Sequence, residues 1–310
     1  MNQGATIELS VVIPVYRCTE CLAELHRRLS AVLSDLRHEI IFVDDGSPDG
    51  AWELLERLAH ERPAVQAIRL SRNFGQQAAI TAGLAHSSGR WVVVMDCDLQ
   101  DPPEEVPRLI AKAREGYDIV FARRTERKHS PLRQLGAKVF FSAINFSNNS
   151  RLDGAFGAFS LISRKVVEAF LTLGDRDRHY LFILNWLGFQ ATAIDYLHAE
   201  RSAGASSYTF RALIKHAFEG MFFQTTALLR WIVYFGFLVS SCGLLLAAYF
   251  VYAYFVHSIY PGWTSLAVLI LLIGGFIISS TGISGLYVGK IFEQVKGRPL
   301  YVVDRVVPHR

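Results

Sequence analysis

The chain of 310 residues carries no Asp, Glu, Lys or Arg between residues 231 and 289. Two apolar stretches inside this interval, residues 232–256 and 266–288, are each long enough to cross about 30 Å of hydrocarbon at about 1.5 Å per helical residue. The link between them contains a Pro-Gly pair, which favours a turn, and Tyr and Trp side chains, which are typical of a membrane interface. The sequence therefore predicts two transmembrane helices joined by a short loop.

The basic residues around these stretches predict their orientation. The linking loop has no Lys or Arg, whereas both outer flanks are basic, with Arg211, Lys215 and Arg230 before the first stretch and Lys290, Lys296, Arg298, Arg305 and Arg310 after the second. Residues 1–6 lack the basic and then apolar layout of a secretory signal. Because basic flanks remain in the cytoplasm, we expect a multi-pass protein of the inner (plasma) membrane with both termini cytoplasmic.

This reading divides the chain into four segments. Residues 1–208 have the alternating pattern of a soluble domain, which we expect to lie in the cytoplasm. Residues 209–230 interleave basic and apolar side chains, which is typical of an amphipathic helix on a bilayer surface. Residues 231–289 hold the two predicted transmembrane helices, and residues 290–310 form a predicted cytoplasmic tail.

Apolar runs and helical patterns alternate in the first 125 residues. The predicted strands cover residues 9–15, 39–43, 65–70, 91–95 and 118–122, with a last strand at 189–198, and the glycine-rich residues 151–160 are interpreted as a loop. Repeats of strand and helix predict an α/β fold, with a mostly parallel sheet that is covered on both faces. The first turn has Pro14-Val15-Tyr16 in place of G-x-G-x-x-G, which argues against a dinucleotide-binding Rossmann domain.

Two carboxylates follow the buried fourth strand. Asp96 and Asp98 share one face of an extended segment, and open α/β sheets bind ligands where their strands end. Mg²⁺ and Mn²⁺ prefer oxygen ligands, so both carboxylates and the amide of Gln100 form a candidate metal site. A bare Asp-x-Asp is more often a solvated acidic turn, and it is the position after a buried strand that favours the metal.

Asp44 and Asp45 end the second predicted strand, at the same edge of a parallel sheet. A carboxylate there is able to accept a hydrogen bond from a ribose hydroxyl or a base N–H. The other interpretation is an N-cap or turn carboxylate, and we expect one of the two to serve only that purpose.

The loop after the fifth predicted strand, residues 122–133, contains four arginines. Guanidinium groups bind phosphate in a bidentate manner, so the loop is a candidate phosphate site, with a solvated basic loop as an equal alternative. The motif Cys18-x-x-Cys21 has no second pair at zinc spacing and is interpreted as two incidental thiols. The net charge of +4 comes with no nucleic-acid recognition motif, so we expect no nucleic-acid partner.

Four motifs together resemble a known enzyme family: VIPVY at residues 12–16, VDDGSPDG at 43–50, SRNFGQQAA at 71–79 and MDCDLQDPP at 95–103. In this order they resemble the metal-dependent, GT-A fold glycosyltransferases of family two, and among them the polyprenyl-phosphate glycosyltransferases related to dolichyl-phosphate mannose synthase. The resemblance covers nearly the whole chain, and the paired membrane helices look like those of bacterial members that act on undecaprenyl phosphate.

The resemblance implies a role for each matching residue. Nucleotide contacts are implied for Pro14, Tyr16, Asp44, Asp45 and Asp96, and metal contacts to Mg²⁺ or Mn²⁺ for Asp96, Asp98 and Gln100. Arg123 and Arg133 would meet the acceptor phosphate, Arg201 with Ser206 would close over the site, and Asp153 is the candidate acid or base. A phosphate monoester with a second pKa of about 6 is already ionised at neutral pH. We therefore expect Asp153 to orient the acceptor rather than to accept a proton.

The expected activity is metal-dependent, inverting transfer of a sugar from a nucleotide-sugar to a polyprenyl phosphate, undecaprenyl phosphate in bacteria, at the inner membrane leaflet. The partners are then the donor, the lipid acceptor and the bilayer, and formation of a homo-oligomer stays open. A second interpretation is a non-catalytic membrane scaffold that retains a nucleotide-sugar-binding fold. A processive polysaccharide synthase would need more membrane spans and a Gln-x-x-Arg-Trp motif, which this sequence lacks.

Overall fold

The computed structural model describes residues 7–125, 156–176, 178–197, 227–257 and 263–309. The chain divides into two compact units. The first draws its described residues from Met1–Ser207 and Pro299–Arg310, and the second from Tyr208–Arg298.

The first unit alternates strands and helices. In chain order its elements are β1 (Leu9–Val15), α1 (Thr19–Val32), β2 (His38–Asp44), α2 (Ala51–Glu61), β3 (Val65–Leu70), α3 (Gln76–His86), β4 (Trp91–Val94), a short 3₁₀ helix (Pro103–Glu105), α4 (Val106–Ala113), β5 (Ile119–Thr125), β6 (Phe156–Ser163), α5 (Arg164–Thr172), α6 (Tyr180–Leu187), β7 (Ala191–Leu197) and β8 (Val303–Val307). The strands predicted near residues 9–15, 39–43, 65–70, 91–95, 118–122 and 189–198 are therefore present.

The described strands form one mixed sheet with the order β7-β5-β6-β4-β1-β2-β3-β8. Its centre is parallel as predicted, since β1 pairs in parallel with both β2 and β4, and β2 pairs in parallel with β3. β5 and β7 form a further parallel pair. Strands β6 and β8 run antiparallel to their neighbours.

Strand β6 corrects one prediction. Residues 151–160 were interpreted as a loop, but Phe156–Ser163 forms a strand between β4 and β5, antiparallel to both. Its residues alternate between the two faces of the sheet, with Phe159 and Leu161 in one apolar cluster and Ile162 in the other. The glycine and alanine residues at its start conceal this alternation in the sequence.

The end of the chain also belongs to the sheet. Val303–Val307 pairs with the edge strand β3, and the N–H of Ser71 donates to the carbonyl of Val302 at 2.9 Å. Residues 290–310 were predicted only as a cytoplasmic tail. The pairing covers the β3 edge, which would otherwise present unpaired backbone groups.

Apolar side chains hold helices against both faces of the sheet. Adjacent β1 residues point to opposite faces, because side chains alternate along a strand. Ile13 belongs to the apolar cluster that includes residues of α1, α2 and α4, whereas Val12 belongs to the cluster that includes residues of α3, α5 and α6. α1 supplies leucines at helical spacing, Leu22, Leu25 and Leu29, all with 0% exposure. The result is the doubly covered sheet that the sequence predicts, with its polar loops at the edges.

The second unit contains two long helices, α7 (Ala227–His257) and α8 (Trp263–Val295). They pack against each other at Phe235 and Phe276, whose ring centroids are 5.0 Å apart. By length and composition, one segment among the described residues is able to cross a membrane, Ile273–Val295 of α8. The predicted hairpin of two membrane spans therefore remains a prediction.

Candidate functional site

Three strands end side by side at one edge of the sheet. β1 is parallel to β2 and β4, with Val15 opposite Asp44. The carboxyl ends of these strands bring Tyr16, Asp44 and Asp96 to the same edge, which is where open α/β sheets bind their ligands. The shared edge that the sequence predicts is therefore present.

The loop after β4 folds back on itself. The N–H of Gln100 donates to Asp98 Oδ1 at 3.2 Å, and the N–H of Asp96 donates to Asp101 Oδ2 at 3.3 Å. Leu99 has a left-handed backbone with a φ of +62°, which is uncommon for a bulky residue, and its side chain is buried. Burial of Leu99 thus fixes the turn while Asp96 and Asp98 remain partly exposed.

Gln76, the first residue of α3, contacts Asp96 directly. Its Nε2 donates to Asp96 Oδ1 at 2.7 Å. The next residue acts elsewhere, since Gln77 Oε1 accepts the N–H of Tyr180 at 2.7 Å. The sequence did not single out Gln76, because nothing in a Gln-Gln pair indicates which of the two faces the strand ends.

Three carboxylates crowd the end of β4. Burial, and then the negative charges of Asp101 and Asp98, raise the pKa of Asp96 from 3.8 to about 7, while Arg124 and the hydrogen bond from Gln76 act in the opposite direction. Such crowding is costly without a compensating positive charge. The guanidinium of Arg124 supplies part of this compensation, and a bound cation would supply more.

The donor set fits a hard divalent cation. The carboxylates of Asp96 and Asp98 and the amide of Gln100 offer only oxygen ligands at a partly exposed edge, the ligand type that Mg²⁺ and Mn²⁺ prefer. Among the described residues, no group of three or more His, Cys, Asp or Glu is arranged to hold a metal. Water and substrate phosphates would have to complete the coordination, as is common for Mg²⁺.

Asp101 is completely buried behind this loop. The hydroxyl of Tyr196 donates to Asp101 Oδ1 at 2.6 Å, and Arg124 Nη2 lies 3.6 Å from the same oxygen. Arg124 Nε also donates to the Tyr196 hydroxyl at 3.2 Å. A buried cluster of Asp101, Tyr196 and Arg124 thus supports the loop that carries Asp96 and Asp98.

The adjacent arginines of β5 point in different directions. Arg123 forms a bidentate pair with Asp195 at 2.6 and 2.9 Å on the surface, which lowers the pKa of Asp195. Arg124 points inward, where a Cβ at position 157 would lie 2.7 Å from its Nη2, so Gly157 makes room for the guanidinium. The role implied for Arg123 stays a prediction, whereas geometry places Arg124 beside the carboxylates.

Asp44 and Asp45 both organise loops. Asp45 accepts the N–H groups of Phe74 and Gly75 at 2.7 and 2.8 Å, and Asp44 accepts the N–H of Ser47 at 2.9 Å. Burial raises the pKa of both carboxyl groups. Asp44 Oδ2 receives no hydrogen bond among the described residues, although Arg69 Nε lies 3.7 Å from it. Asp44 therefore retains an acceptor that Asp45 lacks.

The other predicted residues are divided between the edge and the rest of the chain. Tyr16 is 43% exposed at the end of β1, next to the guanidinium of Arg17, while Pro14 is buried within the strand. Cys18 donates its thiol to the carbonyl of Cys97 at 3.1 Å. Four predicted residues lie outside the described residues: Arg133, Asp153, Arg201 and Ser206.

Comparison with known proteins identifies the relatives of this chain. The family model described as glycosyl transferase family 2 matches residues 10–171. A prophage-derived bactoprenol glucosyl transferase of Shigella flexneri is 34% identical over 303 residues, which cover 96% of this chain and 98% of that protein. An undecaprenyl-phosphate 4-deoxy-4-formamido-L-arabinose transferase of Klebsiella pneumoniae is 35% identical over 310 residues, which cover 97% and 94%.

The fold also matches a solved structure. A crystal structure of a mycobacterial protein superimposes with a TM-score of 0.50 at 20% identity, and the match covers 70% of this chain and 73% of that one. At this identity the likeness concerns the fold alone.

Proposed function

The chain belongs to glycosyl transferase family 2, and we propose that this glycosyltransferase moves a sugar from a nucleotide-sugar donor to a polyprenyl phosphate, undecaprenyl phosphate in a bacterium. The observation that carries the proposal is the pair of partly exposed carboxylates, Asp96 and Asp98, at the carboxyl edge of the sheet, with Arg124 close to the buried Asp101 behind them. Such a site suits a cation and a phosphate together. The activities for which the two relatives are named support a polyprenyl-phosphate acceptor.

The donor half of the site is proposed at Asp96, Asp98 and Gln100, which would hold Mg²⁺ or Mn²⁺. When bound, the ion would stabilise the negative charge that develops on the departing diphosphate. Gln76 orients the Asp96 carboxylate from the N-terminus of α3. The nucleoside is proposed to lie across the ends of β1 and β2, against the exposed ring of Tyr16 and near the buried Asp44, whose Oδ2 receives no hydrogen bond among the described residues.

The acceptor half is proposed around Arg124, together with the predicted residues Arg133, Arg201 and Ser206. A guanidinium would bind the lipid phosphate and align one of its oxygens with the anomeric carbon. That oxygen forms the new bond to carbon as the bond to the nucleoside diphosphate breaks, which inverts the anomeric centre. The monoester is largely ionised at neutral pH, so Asp153 is proposed to orient it rather than to deprotonate it.

The acceptor lipid requires a membrane. Ile273–Val295 supplies one segment that is long and apolar enough to span it. We propose that residues 231–289 form the full hairpin, with the catalytic domain and both termini in the cytoplasm and the reaction at the inner leaflet of the plasma membrane.

The proposal is tested with the full chain in detergent, stripped of metal and supplied with undecaprenyl phosphate. Radiolabelled UDP-, GDP- and dTDP-sugars are offered in turn with Mn²⁺, Mg²⁺ or a chelator. We expect at least one donor to yield a labelled lipid, and the chelator to abolish it. Nucleotide-sugar binding without transfer to the lipid would support the scaffold alternative, and undiminished transfer in chelator would contradict the metal assignment.

A further inference from the structure

We propose that Tyr196 and Asp101 form a positioning pair. Their buried contact fixes the position of both Arg124 and residues 96–101, here called the metal loop, and so aligns the donor and acceptor halves of the site. The inference rests on the proposed function and deepens it. It adds two residues that neither touch the reacting atoms nor belong to the residues selected from the sequence.

Both carboxylate oxygens of Asp101 have hydrogen-bond partners. This carboxylate is completely buried, which is costly unless its oxygens are well paired. One oxygen receives the Tyr196 hydroxyl at 2.6 Å, and the other receives the N–H of Asp96 at 3.3 Å. Asp101 therefore transmits the position of Tyr196 to the backbone of a proposed metal ligand.

Arg124 contacts both Tyr196 and Asp101. Its Nη2 lies 3.6 Å from Asp101, and its Nε donates to the Tyr196 hydroxyl at 3.2 Å. Loss of the tyrosine hydroxyl would leave Asp101 with the guanidinium as its main partner. Arg124 would then be drawn toward Asp101 and away from the open edge.

The ends of β5 and β7 lie side by side in the sheet. Tyr196 lies near the end of β7 and Arg124 near the end of β5, and these strands are parallel neighbours. The two ends are also joined directly, because Thr125 Oγ1 donates to the carbonyl of Tyr196 at 2.6 Å. The segments that hold Arg133 and Arg201 follow these strand ends in sequence. The contact between Tyr196 and Asp101 thus links the metal loop to the ends of β5 and β7, after which the sequence continues to Arg133 and Arg201.

A purely structural role is the competing explanation, and the chain offers a matched control. Tyr180 is also buried, and its hydroxyl is hydrogen-bonded to Ser160 Oγ at 2.9 Å. Tyr180→Phe and Tyr196→Phe therefore remove the same group from similarly buried sites. Of these two tyrosines, Tyr196 is the one that contacts Asp101.

The experiment titrates Mn²⁺ into the full chain in detergent with UDP present, and follows free Mn²⁺ by electron paramagnetic resonance. We expect Tyr196→Phe to weaken Mn²⁺ binding about tenfold, the size of effect expected from a lost hydrogen bond to a charged group. The Mn²⁺ affinity of Tyr180→Phe should stay within about twofold of that of wild type, although the loss of its hydrogen bond to Ser160 also lowers Tm. In transfer assays Tyr196→Phe should also raise the KM for undecaprenyl phosphate.

The outcomes separate this inference from the proposed function. Equal Mn²⁺ affinity in the two variants would overturn the positioning pair even if wild type transfers sugar. If wild type transfers no sugar, hydrogen exchange of the peptide that contains Asp96 still tests the pair, which predicts faster exchange only in Tyr196→Phe. Should Tyr196→Phe not melt cooperatively, Asp101→Asn replaces it, and wild-type Mn²⁺ affinity in that variant would refute the inference.

Discussion

Arg123 and Arg124 are adjacent in β5 but pair with different carboxylates. Arg123 binds Asp195 at 2.6 Å on the exposed side, whereas Arg124 lies 3.6 Å from the buried Asp101. Alternation along the strand separates the two guanidinium groups. The charge of Arg124 opposes the increase in the pKa of Asp96.

Replacing these arginines one at a time should therefore give very different enzymes. We expect Arg124→Ala to lower kcat/KM for the lipid phosphate about 100-fold, the scale of losing one preorganised charge contact, and Arg123→Ala to change it less than about fivefold. Steady-state rates at varied undecaprenyl phosphate, with saturating donor, measure the difference. A larger loss in Arg123→Ala would support the assignment of the acceptor phosphate to Arg123 that was made from the sequence.

Replacing Asp98 with alanine tests the metal assignment without changing the fold. It is partly exposed, so Asp98→Ala should leave Tm nearly unchanged while removing one of two anionic ligands. We expect turnover to fall at least about 100-fold, and saturating Mg²⁺ not to restore it. Full turnover of Asp98→Ala at high Mg²⁺ would exclude this residue as a ligand.

The crowding around Asp96 predicts a stability that depends on pH in metal-free protein. Its folded pKa of about 7 lies above the ordinary value of 3.8, so its stabilising contribution is complete below 3.8 and is lost as pH increases through 7. Asp96→Asn mimics the neutral form. In chelator we expect its Tm to exceed that of wild type at pH 8, and the difference to shrink toward pH 5.

Added Mn²⁺ should reverse this order, because it stabilises only the protein that binds it. Wild type should gain Tm at pH 8, and Asp96→Asn should not. Thermal melts of both proteins at the two pH values, with and without Mn²⁺, check the prediction. A wild type that is more stable than Asp96→Asn in chelator at pH 8 would show that the carboxylate is not under electrostatic stress.

Sequence patterns were sufficient for elements whose signal is local. The apolar run of β4 and the carboxylates Asp96 and Asp98 after it predicted both a strand and a candidate metal site. Parallel pairing then placed Asp44 at the same edge. These predictions needed only side-chain alternation and the rule that parallel strands end together.

Other features depend on contacts far apart in sequence. Tyr196 reaches Asp101 across 95 positions, and Gln76 reaches Asp96 across 20, so no local pattern indicates either contact. The choice between Arg123 and Arg124 depends on which face of β5 lies inward, and this is set by its pairing with β6. Because the start of β6 was interpreted as a loop, the sequence did not show which face of β5 lies inward.

Gly46 predicts a stability effect confined to one turn. Its φ is +67°, and a Cβ there would lie 2.9 Å from the backbone carbonyl carbon of Arg72 and the amide nitrogen of Asn73. We expect Gly46→Ala to destabilise the protein by about 2 kcal/mol or more, since strain and a backbone clash add. Gly116 has a φ of +108° with nothing within 4 Å, so Gly116→Ala should cost less. Equal losses in denaturant melts would refute the clash.

The C-terminal strand should matter for the stability of the first unit. Truncation after Arg298 removes β8 together with Tyr301, and both Tyr301 and Val303 pack against the apolar cluster that contains α3. We expect this truncation to lower Tm and to promote aggregation, because it exposes apolar surface and the β3 edge.

Truncation after Val307 is the matched control for this prediction. It removes the ion pair of His309 with Glu39, whose atoms are 3.7 Å apart, but retains the strand. Glu39 is buried, but hydrogen bonds from Ser10 and Ser88 hold its other oxygen, and the pair with a partly exposed histidine is long. We therefore expect Tm to change by no more than about 2 °C. Thermal melts and light scattering of the two truncations decide the matter. If the two truncated proteins had the same Tm, β8 would pair with β3 without stabilising the sheet, and other parts of the chain would protect the edge of β3.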